Sequence, residues 1–131
     1  MTEKRNVNFH LGIHPINWIG EDVKEHGADT PYAQVLDEIQ SLGLKGTEMS
    51  RKFPTDVNVL KGELGSRGIQ LISQWKSVLF SHPDSQKEEL QAYREHALFL
   101  QEMGSTVIST AEVGGSFFAN GTRHLSDEGW Q

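Results

Sequence analysis

The sequence contains no cysteine, and that single absence removes a disulfide framework, a thiolate metal site and a cysteine nucleophile together. Long hydrophobic runs are missing too: the apolar stretches are only a few residues long, too short to cross a bilayer. Met1-Thr2-Glu3-Lys4-Arg5-Asn6 is polar, and no apolar segment of the signal-peptide kind follows it, which predicts a cytoplasmic protein. Positive charge is in deficit. Twelve Lys and Arg stand against 18 Asp and Glu, and the net charge of −6 repels phosphate backbones and anionic lipid, so neither nucleic acid nor membrane is expected as a partner. No Gly-x-Gly-x-x-Gly or Gly-x-x-x-x-Gly-Lys-Ser/Thr loop follows the first strand pattern, which takes the support from dinucleotide-binding and P-loop readings.

What is present is an alternation of strand and helix patterns. Val7, Phe9, Leu11 and Ile13 alternate with Asn8, His10 and Gly12, the period of a strand with two different faces, and place His10 in an interior position. Thr30-Pro31 predicts an N-cap with proline in the first helical position, followed by a stripe of Tyr32, Val35, Leu36, Ile39 and Leu42 that stops before Gly43. Leu44 to Met49 suits a second strand, and Asp56 to Ser66 a second helix stopping near Gly68. Ile69 to Trp75 reads as a third strand. Asp84 to Met103 reads as a long helix with Leu90, Tyr93, Ala97, Leu100 and Met103 on one side and Gly104 as its stop. Thr106 to Val113 supplies a fourth strand, after which Gly114-Gly115-Ser116 opens a polar loop that runs to the end. The order βαβαβαβ predicts an α/β fold with a parallel sheet, in a single domain over residues 1–131.

Parallel α/β folds bind ligands at the C-terminal ends of their strands, so the polar residues there are the candidates for chemistry. Strand one ends at His14, Asn17 and Trp18, strand two at Glu48 followed by Arg51-Lys52, strand three at Gln74 and Trp75, and strand four at Glu112. Carboxylates, amides, a lysine and indole rings suit a polyhydroxylated ligand, whose hydroxyls need donors and acceptors and whose C–H faces stack on aromatics. His14, Asn17, Trp18, Gln74 and Trp75 are assigned to substrate binding, and Glu48, Lys52 and Glu112 to catalysis. Each has an ordinary alternative: a solvated loop carboxylate, a solvated lysine beside Arg51, or aromatics that close the top of a core. Imidazole and carboxylate also suit Mn²⁺ or Zn²⁺, but the spacing of His14, Glu48 and Glu112 fixes no coordination geometry, and no metal ligand is assigned.

Gly12-Ile13-His14-Pro15-Ile16-Asn17-Trp18 resembles the Gly-Ile-x-Pro-Ile-x-Trp opening of the inosose dehydratases. Thr30-Pro31, Gly46-Thr47-Glu48, Lys52-Phe53-Pro54 and the Trp75 end of strand three recur in that family in the same order, so the resemblance runs from about residue 8 to about residue 115. It implies a xylose-isomerase-like (β/α)8 TIM barrel, of which this chain would be the N-terminal half, with about four parallel strands and three helices out of the roughly 250 residues a full barrel needs. It also implies a hydro-lyase that removes water from 2-keto-myo-inositol with the help of Mn²⁺ or Co²⁺. A divalent cation stabilises the enolate oxygen that forms when the proton beside a carbonyl leaves. The family's metal ligands, a Glu, Asp, His and Glu set, belong to later strands, so they are expected beyond Gln131. Two other outcomes stay open: a sugar isomerase or epimerase of the same superfamily, and a non-catalytic half barrel whose open sheet edge and apolar strand faces favour self-association.

Overall fold

A computed structural model of the chain describes residues 10–114. The chain divides into two compact units, residues 1–71 and 72–131. In the first unit, β1 (Gly12–Ile13) pairs in parallel with β2 (Gly46–Glu48), Gly12 opposite Gly46 and Ile13 opposite Thr47. α1 (Tyr32–Ser41) lies between them in sequence, and α2 (Val57–Gly65) leads on to β3 (Gln70–Ser73), which adjoins β2 in the order β1-β2-β3. The second unit holds β4 (Trp75–Val78), α3 (Gln86–Glu102) and β5 (Ser109–Glu112), with β4 parallel to β5 from Trp75 opposite Ser109 to Val78 opposite Glu112. This is the α/β alternation with parallel pairing that the periodicities predict.

The helices follow from local chemistry. Asp56 N-caps α2, its carboxylate accepting the Asn58 and Val59 amides at 2.9 Å each. Val35, Leu36 and Ile39 of α1 are fully buried, and Leu60 and Leu64 of α2, Ile69, Leu71, Met49 and Phe53 join the buried set. Each such side chain contributes roughly 1.5–3 kcal/mol of transfer free energy. Arg67, just past α2, donates to Asp37 of α1 at 2.6 Å and to Glu63 of α2 at 2.8 Å, and its guanidinium is held charged chiefly by Asp37.

Several expected boundaries shift. The N-cap of α1 is Pro31 rather than Thr30, because the Pro31 carbonyl accepts the Val35 amide and no side chain caps the helix. Of the first strand only Gly12–Ile13 is paired as strand within the described residues; Val7 and Phe9 lie outside them, as does the loop beyond Gly114. His10 is exposed rather than interior. The single strand read over Ile69 to Trp75 is two, β3 and β4, divided at Gln74. There the Ser73 hydroxyl takes the Ser109 amide at 3.1 Å, and His96 meets the Gln74 carbonyl at 3.3 Å. The fourth strand shortens to Ser109–Glu112. On α3 only Leu100 is buried while Leu90 is 55% exposed, and Tyr93 packs edge-on against Phe80 with centroids 5.6 Å apart.

Candidate functional site

His14 stands one residue past β1 in extended conformation (φ −83°, ψ 133°), so the parallel register that sets Ile13 opposite Thr47 brings His14 beside Glu48. Its Nε2 lies 3.5 Å from Glu48 Oε2, with both side chains mostly buried. The other ring nitrogen, Nδ1, accepts the Ile16 amide at 3.0 Å and so caps the single 3₁₀ turn Pro15–Asn17. An acceptor nitrogen must carry a lone pair, which puts the proton of the neutral ring on Nε2, facing the carboxylate. His14 is therefore a donor toward Glu48, and the proton acceptor of the pair is Glu48.

Trp18 closes that turn and is half-buried. Its indole N–H donates to Glu38 Oε2 on α1 at 2.6 Å. The Gln34 side-chain amide, and after it the Trp18 indole, hold the Glu38 carboxyl below its ordinary value. Asn17 is exposed, and its backbone carbonyl meets His26 Nε2 at 3.2 Å. Lys52 follows β2, and its ammonium donates to the carbonyls of Gly27 (3.1 Å), Ala28 (2.8 Å) and Thr30. An ammonium has three N–H donors, so these three carbonyls saturate it. Neighbouring Arg51 donates through Nε to the Gly20 carbonyl at 2.7 Å and through Nη2 to the Lys24 carbonyl at 2.9 Å.

The remaining predicted residues belong to the second unit. Trp75 is 53% exposed and donates its indole N–H to Ser77 Oγ at 2.9 Å. Gln74 is half-buried, and its carbonyl faces His96, whose ring is held below its ordinary pKa first by burial and then by the charge of Lys76, against the opposing bond to Gln74. Glu112 accepts the Ser81 amide (3.1 Å), the Ser81 hydroxyl (3.0 Å) and the Gly114 amide (2.6 Å). Burial, the largest influence on it, raises its pKa, but the bonds from Gly114 and Ser81 together outweigh that and lower it.

The structure thus gathers His14 and Glu48 at one strand end, with Asn17, Trp18 and Lys52 in the loops around it, and sets Gln74, Trp75 and Glu112 in the other unit. Sequence reasoning missed Glu38 and Ser81, and it noted Arg51 at the end of strand two without giving it a role. Glu38 carried one usable signal, its position one helical turn after Gln34 on α1. Among the described residues no group of three His, Asp or Glu side chains is arranged to hold a metal ion, and the His14–Glu48 pair offers two donors where a divalent cation needs more. The residues present do not by themselves fit a resident metal.

No family model matches the chain. Individual relatives do. An inosose dehydratase of Glaesserella parasuis serovar 5 is 38% identical over 133 residues, covering 95% of this chain and 43% of that protein. One from Histophilus somni is 40% identical over 106 residues, 80% of this chain and 35% of that protein. One from Geobacillus kaustophilus is 35% identical over 137 residues, 98% of this chain and 44% of that protein. The chain therefore spans less than half the length of the relatives it matches, and over nearly its whole length it is similar in sequence to the inosose dehydratases.

Proposed function

We propose that this chain supplies part of the substrate site of an inosose dehydratase, a hydro-lyase acting on a cyclic polyhydroxy ketone, and that Glu48 is its acid–base carboxylate. The observation that carries the reading is the His14–Glu48 pair at adjacent parallel strand ends, the place where (β/α)8 barrels keep their chemistry. The ordered similarity to inosose dehydratases supports it. In such an elimination a carboxylate takes the proton next to the carbonyl. The C–H electron pair moves into the enolate, and the hydroxyl on the neighbouring carbon leaves with a proton as water. Glu48 is the group that can accept the first proton; the Nε2–H of His14 orients its carboxylate without competing for that proton. Asn17 and Trp18 would border the ring of the substrate. Mn²⁺ or Co²⁺, when bound, would supply electrophilic stabilisation of the enolate oxygen, with ligands outside the described residues.

The same reading makes the chain half of a barrel at work in the cytoplasm and predicts self-association, supported by Leu11 (59%), Ile72 (40%), Trp75 (53%) and Val107 (57%), all large apolar side chains exposed in this structure. No helix among the described residues is long and apolar enough to cross a membrane. The test is titration of inosose into the chain while the ring resonances of His14 and the side-chain amide of Asn17 are followed by NMR. Both should shift saturably in the wild type, and the response should weaken by at least about fivefold in Glu48→Gln, which keeps the shape and loses the charge. A wild type in which inosose moves neither group would overturn the assignment.

A further inference from the structure

We propose that Arg51 and Lys52 are positioning residues that clamp the β1–α1 loop, and with it Asn17 and Trp18, against the strand end that carries Glu48; the proposal rests on the reading of that strand end as the substrate site. The first part of the loop is anchored by buried Pro15 and Ile19 and by the Trp18 bond to Glu38, but the stretch from Gly20 to Thr30 has little of its own to hold it there. Ile19 is buried, but Val23 is 59% exposed, and the loop's backbone bonds close on themselves: Gly20 to His26, His26 to Val23, Ala28 to Glu25 and Thr30 to Gly27. Each of these fixes a turn, and none reaches the sheet.

The tie to the sheet comes from two cations. Arg51 takes the Gly20 and Lys24 carbonyls, Lys52 takes those of Gly27, Ala28 and Thr30, and the Arg51 amide donates to the Glu21 carboxylate at 3.2 Å. Carbonyl dipoles converging on a cation replace its water shell, and the chain that carries them cannot move without leaving both charge and carbonyls unpartnered. Arg51 and Lys52 lie three and four positions past the end of β2 at Glu48, so the chain that leaves the Glu48 strand end also fixes the loop that follows the His14 turn. Arg51 takes its two carbonyls through different nitrogens of one planar fork, Nε to Gly20 and Nη2 to Lys24, a spread that one ammonium nitrogen does not have.

The test uses the full chain with Arg51→Met, Arg51→Lys and Lys52→Met, reading amide hydrogen exchange and the NMR response to inosose. In Arg51→Met, exchange at the Gly20, His26, Ala28 and Thr30 amides should rise by about tenfold or more, while the amides of α1 and α2 change by less than about twofold. The apparent Kd for inosose should rise by at least about fivefold, and Arg51→Lys, which keeps the charge and loses the fork of separate N–H donors, should not restore it. Lys52→Met should loosen the 27–30 end of the loop in the same way. Unchanged loop exchange in both Met variants overturns the clamp. An equal rise across α1 and α2 overturns it too, since that marks a general loss of stability. Faster loop exchange with unchanged affinity overturns the positioning role. A wild type that does not respond to inosose defeats the functional reading, and the exchange data then decide the clamp alone.

Discussion

Gly27 offers a measurement that isolates one steric contact. Its φ is +70°, and a Cβ built there would lie 1.9 Å from the Trp18 carbonyl oxygen and 2.9 Å from Ile19 Cα, both backbone atoms that no rotamer change can move aside. Gly68 has nearly the same φ, +67°, and nothing within 4 Å of its Cβ position. Both lie in the first unit, so Gly27→Ala and Gly68→Ala share the same backbone penalty, about 1–2 kcal/mol for an L-residue in the left-handed region, and differ in the clash. Forcing backbone apart in a packed segment costs about a further 1–3 kcal/mol. Urea denaturation should therefore separate the two variants by roughly 1 M in midpoint at ordinary slopes of about 1–3 kcal/mol per M, with Gly27→Ala the weaker. Where the loop yields locally instead, the gap narrows and the Thr30 amide, bonded to the Gly27 carbonyl at 3.1 Å, should exchange faster than in Gly68→Ala. Coincident midpoints together with unchanged exchange at Thr30 would refute the argument.

Ser50 is 2% exposed, and its hydroxyl has no hydrogen-bond partner among the described residues. An unmet buried hydroxyl costs about 1–3 kcal/mol, so Ser50→Ala should be neutral or stabilising by up to about 1 kcal/mol in the same denaturation assay; a loss above about 1 kcal/mol would reveal a bonded hydroxyl. For Glu112 the folded pKa lies below the ordinary value of 4.5, so its stabilising effect is complete above that value and is lost as pH falls through the lower folded one. Glu112→Gln should flatten the fall in stability over that acidic window relative to the wild type, and two superimposable curves of stability against pH would contradict it.

What the sequence discloses and what it withholds divide by range. The stops of the helices are local: those read at Gly43, Gly68 and Gly104 are where the structure turns the chain through positive φ, since each rests on residues within one turn. The break at Gln74 is not local. It depends on Ser73 meeting Ser109, 36 positions on, and on His96 reaching back 22 positions, neither of which leaves a trace in the hydrophobic period.

The candidate site shows the same division within a single loop. Glu48 and Lys52 carry the same signal in the sequence, a polar group at or just past a strand end, and nothing in their types tells which partners each one meets. What separates them is the course of the chain some 25 positions earlier. The turn at Gly27 aims the carbonyls of Gly27, Ala28 and Thr30 at one point, and the Lys52 ammonium sits there. Glu48 instead meets the Nε2–H of His14, a donor set by the Ile16 amide on the far side of the ring. Residue type names the groups at the strand ends, and the backbone that folds back over them assigns their work. Under the proposed clamp, the glycine at position 27 acts on the Glu48 strand end through its carbonyl on Lys52.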